Sequence, residues 1–196
     1  MKNLWILLAW ALTIQVHAQK FKVDTLALNA AYREIVDSPN TLERQKAYLN
    51  AFPKNWTEYI NLYGYSSEKD YDLTMYHLAS KQMHVLNHRL TLVKNPVICN
   101  RLIDLSINAE YSPDAPAYLQ RELHKRMNLD MEVVMEELSK RTPEEIASFW
   151  TFYWASQTPS KKFNTEANRL EKIFINAYPQ TASTMKTCLC ESLRRK

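Results

Sequence analysis

Apolar residues recur every three to four positions along most of the chain, and prolines or helix-capping residues separate the periodic segments. Clear examples are the segment from Asp24 to Asp37 and the longer one from about Asp72 to Val93. No stretch alternates apolar and polar residues with the two-residue period of a half-buried strand. The pattern therefore predicts an all-α protein with about nine helices in a single domain.

Capping residues predict where several of these helices begin and end. Asn55 is placed to cap a helix from Trp56 to Tyr63, and Gly64 follows where a residue in the left-handed conformation commonly ends a helix. The stretch 38–43 predicts another boundary, with Pro39 in the first turn of the next helix and a capping box from Asn40 to Glu43.

A weak internal similarity predicts how the helices are arranged. Residues 46–53 resemble residues 172–179, and residues 105–113 form a looser third copy. Each copy carries Asn-Ala, then an aromatic residue, and a proline follows. Copies of this kind favour stacked helical hairpins, in the manner of a degenerate helical repeat.

The first eighteen residues have the features of a signal peptide. Lys2 gives a positive start, residues 4–12 are apolar, and residues 16–18 form a small-residue cleavage site. The apolar stretch is too short to span a bilayer, and no later stretch is long enough. We therefore expect an exported protein, periplasmic or secreted, with residues 19–196 as its helical domain and no membrane span.

Composition excludes several classes of function. The single glycine is incompatible with the usual phosphate loop, dinucleotide fingerprint or nucleophile elbow, each of which needs two or more glycines. Lys and Arg number 25 against 21 Asp and Glu, a net charge of +4 without the concentrated basic run of a nucleic-acid binder. The sequence therefore predicts no nucleic-acid partner and no cofactor.

Two stretches support a resemblance to known proteins. Asn50 to Trp56 reads Asn-Ala-Phe-Pro-Lys-Asn-Trp, and residues 142–154 join a Thr-Pro-Glu-Glu start to an aromatic run. With the leader, they make the chain similar to small exported all-helical proteins of Bacteroidetes-type bacteria. That group has no known biochemical role, so the resemblance implies fold and export and assigns no functional residue.

Export bears on the three cysteines, because disulfides persist in oxidising compartments. Cys188 and Cys190 lie about 200° apart around a predicted helix and cannot pair there, but either could pair with Cys99. The alternative is three reduced cysteines that pack as small apolar residues. The spacing does not match a zinc site.

Histidines form the most suggestive polar pattern. His77, His84 and His88 fall on one side of the long predicted helix, opposite its apolar face, and His84 and His88 have the i,i+4 spacing of paired metal ligands. His124, on another predicted helix, is a third ligand only if the fold brings it close. The alternative is a row of solvated or hydrogen-bonded histidines.

Aromatic residues are dense at 149–154 and recur with helical spacing at Trp56, Tyr59 and Tyr63. A helix that is apolar nearly all round is usually buried, so we expect core packing rather than a platform for sugar rings.

The candidate catalytic residues are weakly supported. Acid pairs at 136–137 and 144–145 fall on predicted helix exteriors. The Ser-x-x-Lys match at 183–186 lacks the other elements of its enzyme class.

These observations favour a non-enzymatic binding or interaction module, with a protein or another envelope component as partner. The alternative is a small exported hydrolase or carbohydrate-active protein whose site residues converge only in three dimensions. A deep pocket that gathers His84 and His88, or His124, with carboxylates would favour the hydrolase. A shallow surface with exposed aromatic residues would favour binding.

Overall fold

The structure is a computed structural model that describes residues 23–64, 73–155 and 161–194. The proposed leader, residues 1–18, lies outside the described residues. Within those ranges the chain forms ten α-helices and no strand, which confirms the all-α prediction. The helices are α1 Thr25–Asp37, α2 Leu42–Ala51, α3 Trp56–Tyr63, α4 Leu73–His88, α5 Asn95–Ser106, α6 Ala115–Leu129, α7 Met131–Ser139, α8 Pro143–Trp154, α9 Lys161–Phe174 and α10 Pro179–Arg194. None of the described helices is long and apolar enough to cross a membrane.

Side-chain caps fix several helix starts, and the predicted cap at Asn55 is confirmed. The Asn55 carboxamide oxygen accepts the Glu58 backbone N–H at 2.9 Å at the start of α3. Thr142 and Glu145 form a reciprocal capping box at the start of α8. The prediction for the start of α2 was wrong, because the cap is Thr41, one residue after Asn40, and Pro39 precedes the helix instead of lying in its first turn.

Helix α4 ends at His88, five residues before the predicted Val93. A distant side chain accounts for the difference. The Leu92 backbone N–H donates to Oε1 of Gln45 at 2.7 Å, and Gln45 is fully buried in α2. This hydrogen bond satisfies a backbone donor outside a helix, and no local pattern reveals it.

Gly64 does not have the predicted left-handed conformation. Its φ is −68° and its ψ is 142°, which any residue can adopt. The left-handed conformation occurs instead at Asn108, with φ 61°, just beyond α5. Asparagine tolerates this region better than most residues do, and the Asn108 N–H donates to Oγ of Ser148 at 2.6 Å.

The two most similar segments, residues 46–53 and 172–179, end differently. Helix α2 ends at Ala51, and Pro53 lies in the loop before α3. Helix α9 ends at Phe174, and Pro179 is the first residue of α10. Helices pack both on sequence neighbours, as α1 does on α2 and α9 on α10, and on the next helix but one, as α4 does on α6. A helical-repeat origin stays a prediction.

Aromatic side chains fill the core of the fold. The residues of α8 between Phe149 and Trp154, apart from the exposed Thr151, are at most 1% exposed. Tyr59 and Tyr63 of α3 are fully buried, and the half-buried Trp56 packs on Phe152 with ring centroids 6.2 Å apart. Core packing of both aromatic sets is therefore confirmed.

Candidate functional site

A cavity of about 410 Å³ opens between α1, α4 and α6. We call it the basic pocket. It is lined by Tyr32, Val36, Ser80, Lys81, His84, Val85, Arg89, Arg121, Glu122 and Lys125. Its size lies within the range of small-molecule sites.

Helical periodicity explains why these residues share one cavity. Tyr32 and Val36 on α1, and Arg121 and Lys125 on α6, are each four residues apart and therefore lie on one face of their helix. The lining residues of α4 repeat with the same spacing, from Ser80 to His84 and from Lys81 to Val85. Inward-facing neighbours such as Met83 and Leu123 are fully buried and hold α4 against α6. Core packing thus places one face of each of these three helices around the pocket.

Charge in the basic pocket is strongly one-sided. Four cationic side chains, Lys81, Arg89, Arg121 and Lys125, line it together with a single carboxylate, Glu122. Lys125 Nζ lies 2.7 Å from Oε1 of Glu122. The Arg121 Nε lies 3.8 Å from the same oxygen.

Glu122 is the buried centre of the site, since its side chain is only 1% exposed. Its Oε2 accepts a hydrogen bond from Asn87 Nδ2 at 3.0 Å and lies 2.9 Å from His88 Nε2. Burial raises the pKa of the Glu122 carboxyl, but the hydrogen bonds from Asn87, Lys125 and His88 outweigh it and lower the pKa overall. The group is therefore held as a carboxylate.

A second buried layer holds Asn87 in place. Asn87 is 3% exposed, and its Oδ1 accepts a hydrogen bond from Nε of Arg126 at 2.7 Å. Arg126 also donates to the Asn87 backbone carbonyl and pairs with Asp130. Because Asn87 donates in turn to both the backbone carbonyl and the carboxylate of Glu122, the network fixes α4 against α6 at the floor of the pocket.

Arg121 is positioned although half of its side chain is exposed. Its Nη2 donates to Oγ of Ser80 at 2.9 Å, and its guanidinium carbon lies 5.2 Å from the ring centroid of Tyr118. These contacts hold the charge beside the cavity before any ligand arrives.

Of the predicted histidine candidates, the structure brings together His84 and His88. Their ring centroids are 4.6 Å apart, and one ligand atom from each lies within 4.8 Å of the others and of Glu122. His77 is exposed and lies outside this group, with its ring against Tyr76. His124 also lies elsewhere, since its ring stacks on Tyr153 at 4.0 Å.

The cysteines are present as thiols, and none of them forms a disulfide in the structure. Cys99 and Cys188 are buried and Cys190 is exposed. Burial raises the pKa of the Cys99 thiol to about 11. The packing of Cys99 and Cys188 matches the alternative of reduced, apolar cysteines.

The remaining sequence candidates have structural partners away from the basic pocket. Glu136 and Glu137 both pair with Lys140, and Glu137 also accepts a hydrogen bond from Asn100. Glu145 belongs to the α8 capping box. Lys186 pairs with Glu171 of α9, so the Ser-x-x-Lys match gains no support.

Sequence reasoning missed Glu122 as a site residue. The signal available was the sequence Arg-Glu-Leu-His-Lys at 121–125, where an acid lies among bases with helical spacing. That pattern is typical of an exposed helix face, and only the packing of α6 on α4 shows that the acid is buried.

Comparisons with protein-family models, with curated proteins and with solved structures found no match for this chain.

Proposed function

We propose that the protein is an exported, non-enzymatic binding module that takes a small organic anion, bearing carboxylate or phosphate groups, into the basic pocket. The observation that carries the proposal is the excess of four cationic side chains over one carboxylate around a cavity of about 410 Å³. Glu122 is already engaged by Lys125, so most of the positive charge is available to a ligand.

Two cations support the proposal most directly. The side chains of Lys81 and Arg89 are exposed and form no ion pair with any residue in the described part of the chain. Arg121 adds a guanidinium, which suits the planar geometry of carboxylates and phosphates. Together these groups offer several charge-assisted hydrogen bonds to one anion.

The α1 side of the pocket has a different character. Tyr32 and Val36 line it there, and Val85 of α4 adds a buried apolar surface. A ligand with an apolar or ring-shaped body and an anionic end therefore matches both sides of the cavity. This match supports a small molecule rather than a flat protein surface as the occupant.

Export is a proposal supported by the leader sequence, residues 1–18. Cleavage after Ala18 would leave Gln19 as the first residue of the mature chain. Mass spectrometry of the protein recovered from its native host tests this directly. A chain that retains residues 1–18 would contradict export by this signal.

The test of binding is a calorimetric titration of the metal-free protein, in EDTA, with citrate and with pyrophosphate, and with glucose as a neutral probe. We expect an anion to bind and glucose not to bind, with an affinity that falls as salt concentration rises. The double variant Lys81→Ala/Arg89→Ala is expected to weaken anion binding about tenfold or more, equivalent to about 1.4 kcal/mol.

A matched double variant controls for net charge. Arg169→Ala/Lys172→Ala removes two exposed cations from α9, which packs on α10 and does not line the pocket. It should bind the anion as the unmodified protein does. Equal weakening in both double variants, or no anion binding at millimolar concentration, would refute the proposal.

One observation favours the hydrolase alternative. The pocket lining brings His84 together with Glu122, and His88 lies beside both of them, although the cavity is open and Glu122 is the only carboxylate among its described lining residues. A hydrolase would need that carboxylate or a bound metal to activate water. Hydrolysis of aryl phosphates or esters by the protein, lost in His84→Ala, would establish this alternative in place of simple binding.

A further inference from the structure

Side chains from two helices converge at one edge of the basic pocket. His84 and His88 lie one turn apart on α4, and Glu122 faces them from α6. One ligand atom from each residue lies within 4.8 Å of the other two. Two imidazoles and a carboxylate form a donor set that zinc uses in proteins, with further positions left for water or substrate.

The distances within this group are close to those a metal requires. His88 Nε2 and Glu122 Oε2 are 2.9 Å apart. Two ligand atoms of a tetrahedral zinc ion, each about 2.0–2.1 Å from the metal, lie about 3.3 Å apart. An opening of about 0.4 Å would therefore let a metal ion replace the hydrogen atom between them. An imidazole can carry its ring proton on Nδ1, which leaves Nε2 free to bind a metal ion.

His84 lies on the solvent side of the site. It is exposed and lines the cavity, so its ring can turn toward a metal ion that arrives from solvent. Asn87 orients the Glu122 carboxylate from below through Oε2, as outer-shell groups do in metal sites.

The surrounding cations repel a metal ion and so lower the affinity of this site. Lys125 contacts Oε1 of Glu122 and leaves Oε2 facing the histidines. The Lys125 side chain is 45% exposed, so it can move to solvent when a metal ion neutralises the carboxylate. Arg121 stays in place through Ser80 and reduces the affinity for any cation.

We propose that His84, His88 and Glu122 bind a divalent transition-metal ion of the zinc type. This inference goes beyond the proposed function, since the metal site requires no organic anion. The competing possibility is that the three side chains form a hydrogen-bonded cluster only.

The experiment is a titration of the full chain, freed of metal by chelator and carrying no affinity tag, with Zn²⁺ in chloride buffer. We expect one ion per chain by calorimetry, and a visible absorption band of tetrahedral type when Co²⁺ replaces Zn²⁺. His84→Ala is expected to lower the affinity more than about 100-fold, beyond the 10- to 100-fold loss that removal of an outer-shell partner causes. Because His84 is exposed, this variant should fold normally.

His77→Ala is the matched control, since His77 is an exposed histidine of the same helix outside the group. It should bind Zn²⁺ as the unmodified protein does. The proposal is overturned if no stoichiometric binding occurs at about 100 μM Zn²⁺, far above the affinities of protein zinc sites. It is also overturned if His84→Ala binds normally, or if His77→Ala abolishes binding.

Lys125→Met separates the metal site from the anion site. Removal of this charge should raise the Zn²⁺ affinity about threefold or more, because a repulsive charge beside Glu122 is lost. The same variant should weaken anion binding measured in EDTA. An unchanged or lower Zn²⁺ affinity would contradict the placement of the metal on Glu122, whatever the result with the anion.

Discussion

Gly64 is required for space rather than for backbone conformation. A Cβ atom at this position would lie 2.4 Å from the carbonyl oxygen of Ile60 and 2.9 Å from the Cδ1 of the same residue. The Gly64 N–H donates to that carbonyl at 2.8 Å, so the close approach is part of the end of α3. A side chain would have to break this contact or shift the chain.

We expect Gly64→Ala to lower the free energy of unfolding by about 1–3 kcal/mol, the usual cost of an added group in a packed site. Ala47→Val, at an exposed position of α2, is the control and should cost less than about 1 kcal/mol. Urea denaturation of both variants measures the difference. Equal stabilities for Gly64→Ala and the unmodified protein would show that the chain relaxes around the new methyl group.

Local sequence predicts some residue roles and misses others for a definite reason. The caps at Asn55 and Thr142 follow from contacts within four residues, which the sequence itself contains. The crowding at Gly64 depends on how closely the chain returns to Ile60. The His84–His88 pair could be predicted from spacing on one helix, whereas Glu122 depends on the packing of a second helix.

Two helices are capped at their C-terminal ends by side chains from other helices. Nη1 of Arg101 in α5 donates to the carbonyls of Leu49, Phe52 and Pro53 at the end of α2. Gln120 in α6 serves α8 similarly, and its Nε2 lies within hydrogen-bonding distance of the carbonyls of Phe152, Tyr153 and Ala155. The last carbonyls of every helix have no backbone partner within that helix, and here the two side chains supply the missing donors.

We expect Gln120→Met to destabilise the protein by about 1–3 kcal/mol, because buried carbonyls lose their donor while the volume is kept. Gln180→Met, at an exposed position in the first turn of α10, is the control and should change the stability by less than about 0.5 kcal/mol. Thermal or urea unfolding provides the comparison. A Gln120→Met protein as stable as the control would mean that water replaces the lost donor.

The sequence predicts helices better than it predicts their ends. Periodicity and capping residues place α1 and α3 closely, because both signals are local. The end of α4 differs because buried Gln45 takes the Leu92 N–H from a distance of 47 residues. The similar segments at the ends of α2 and α9 also differ. Arg101 donates a hydrogen bond to the Pro53 carbonyl in the loop after α2, and so fixes the first of these segments.

At the scale of the whole molecule, the three cysteines differ in solvent exposure. Cys99 in α5 is fully buried, Cys188 in α10 is 7% exposed, and Cys190 lies on the surface. A thiol reacts only after solvent reaches it, so each cysteine reports the opening of its own region.

We expect native-state alkylation to label Cys190 at once, and Cys99 only through near-global unfolding. The raised pKa of Cys99, about 11, slows its reaction further, because the thiolate is the reactive form. A titration in denaturant should give three thiols per chain. Mass spectrometry of peptides labelled at increasing urea concentration measures the order, and early labelling of Cys99 would contradict a single cooperative core.

The three tryptophans in the described residues, Trp56, Trp150 and Trp154, belong to the aromatic cluster around α8. The described lining of the basic pocket holds a tyrosine but no tryptophan. Indole emission should therefore shift to the red when the core opens, while occupancy of the pocket leaves it unchanged. Fluorimetry can follow ligand binding only with a new indole at the cavity, and Val36→Trp would place one at an exposed position on its rim.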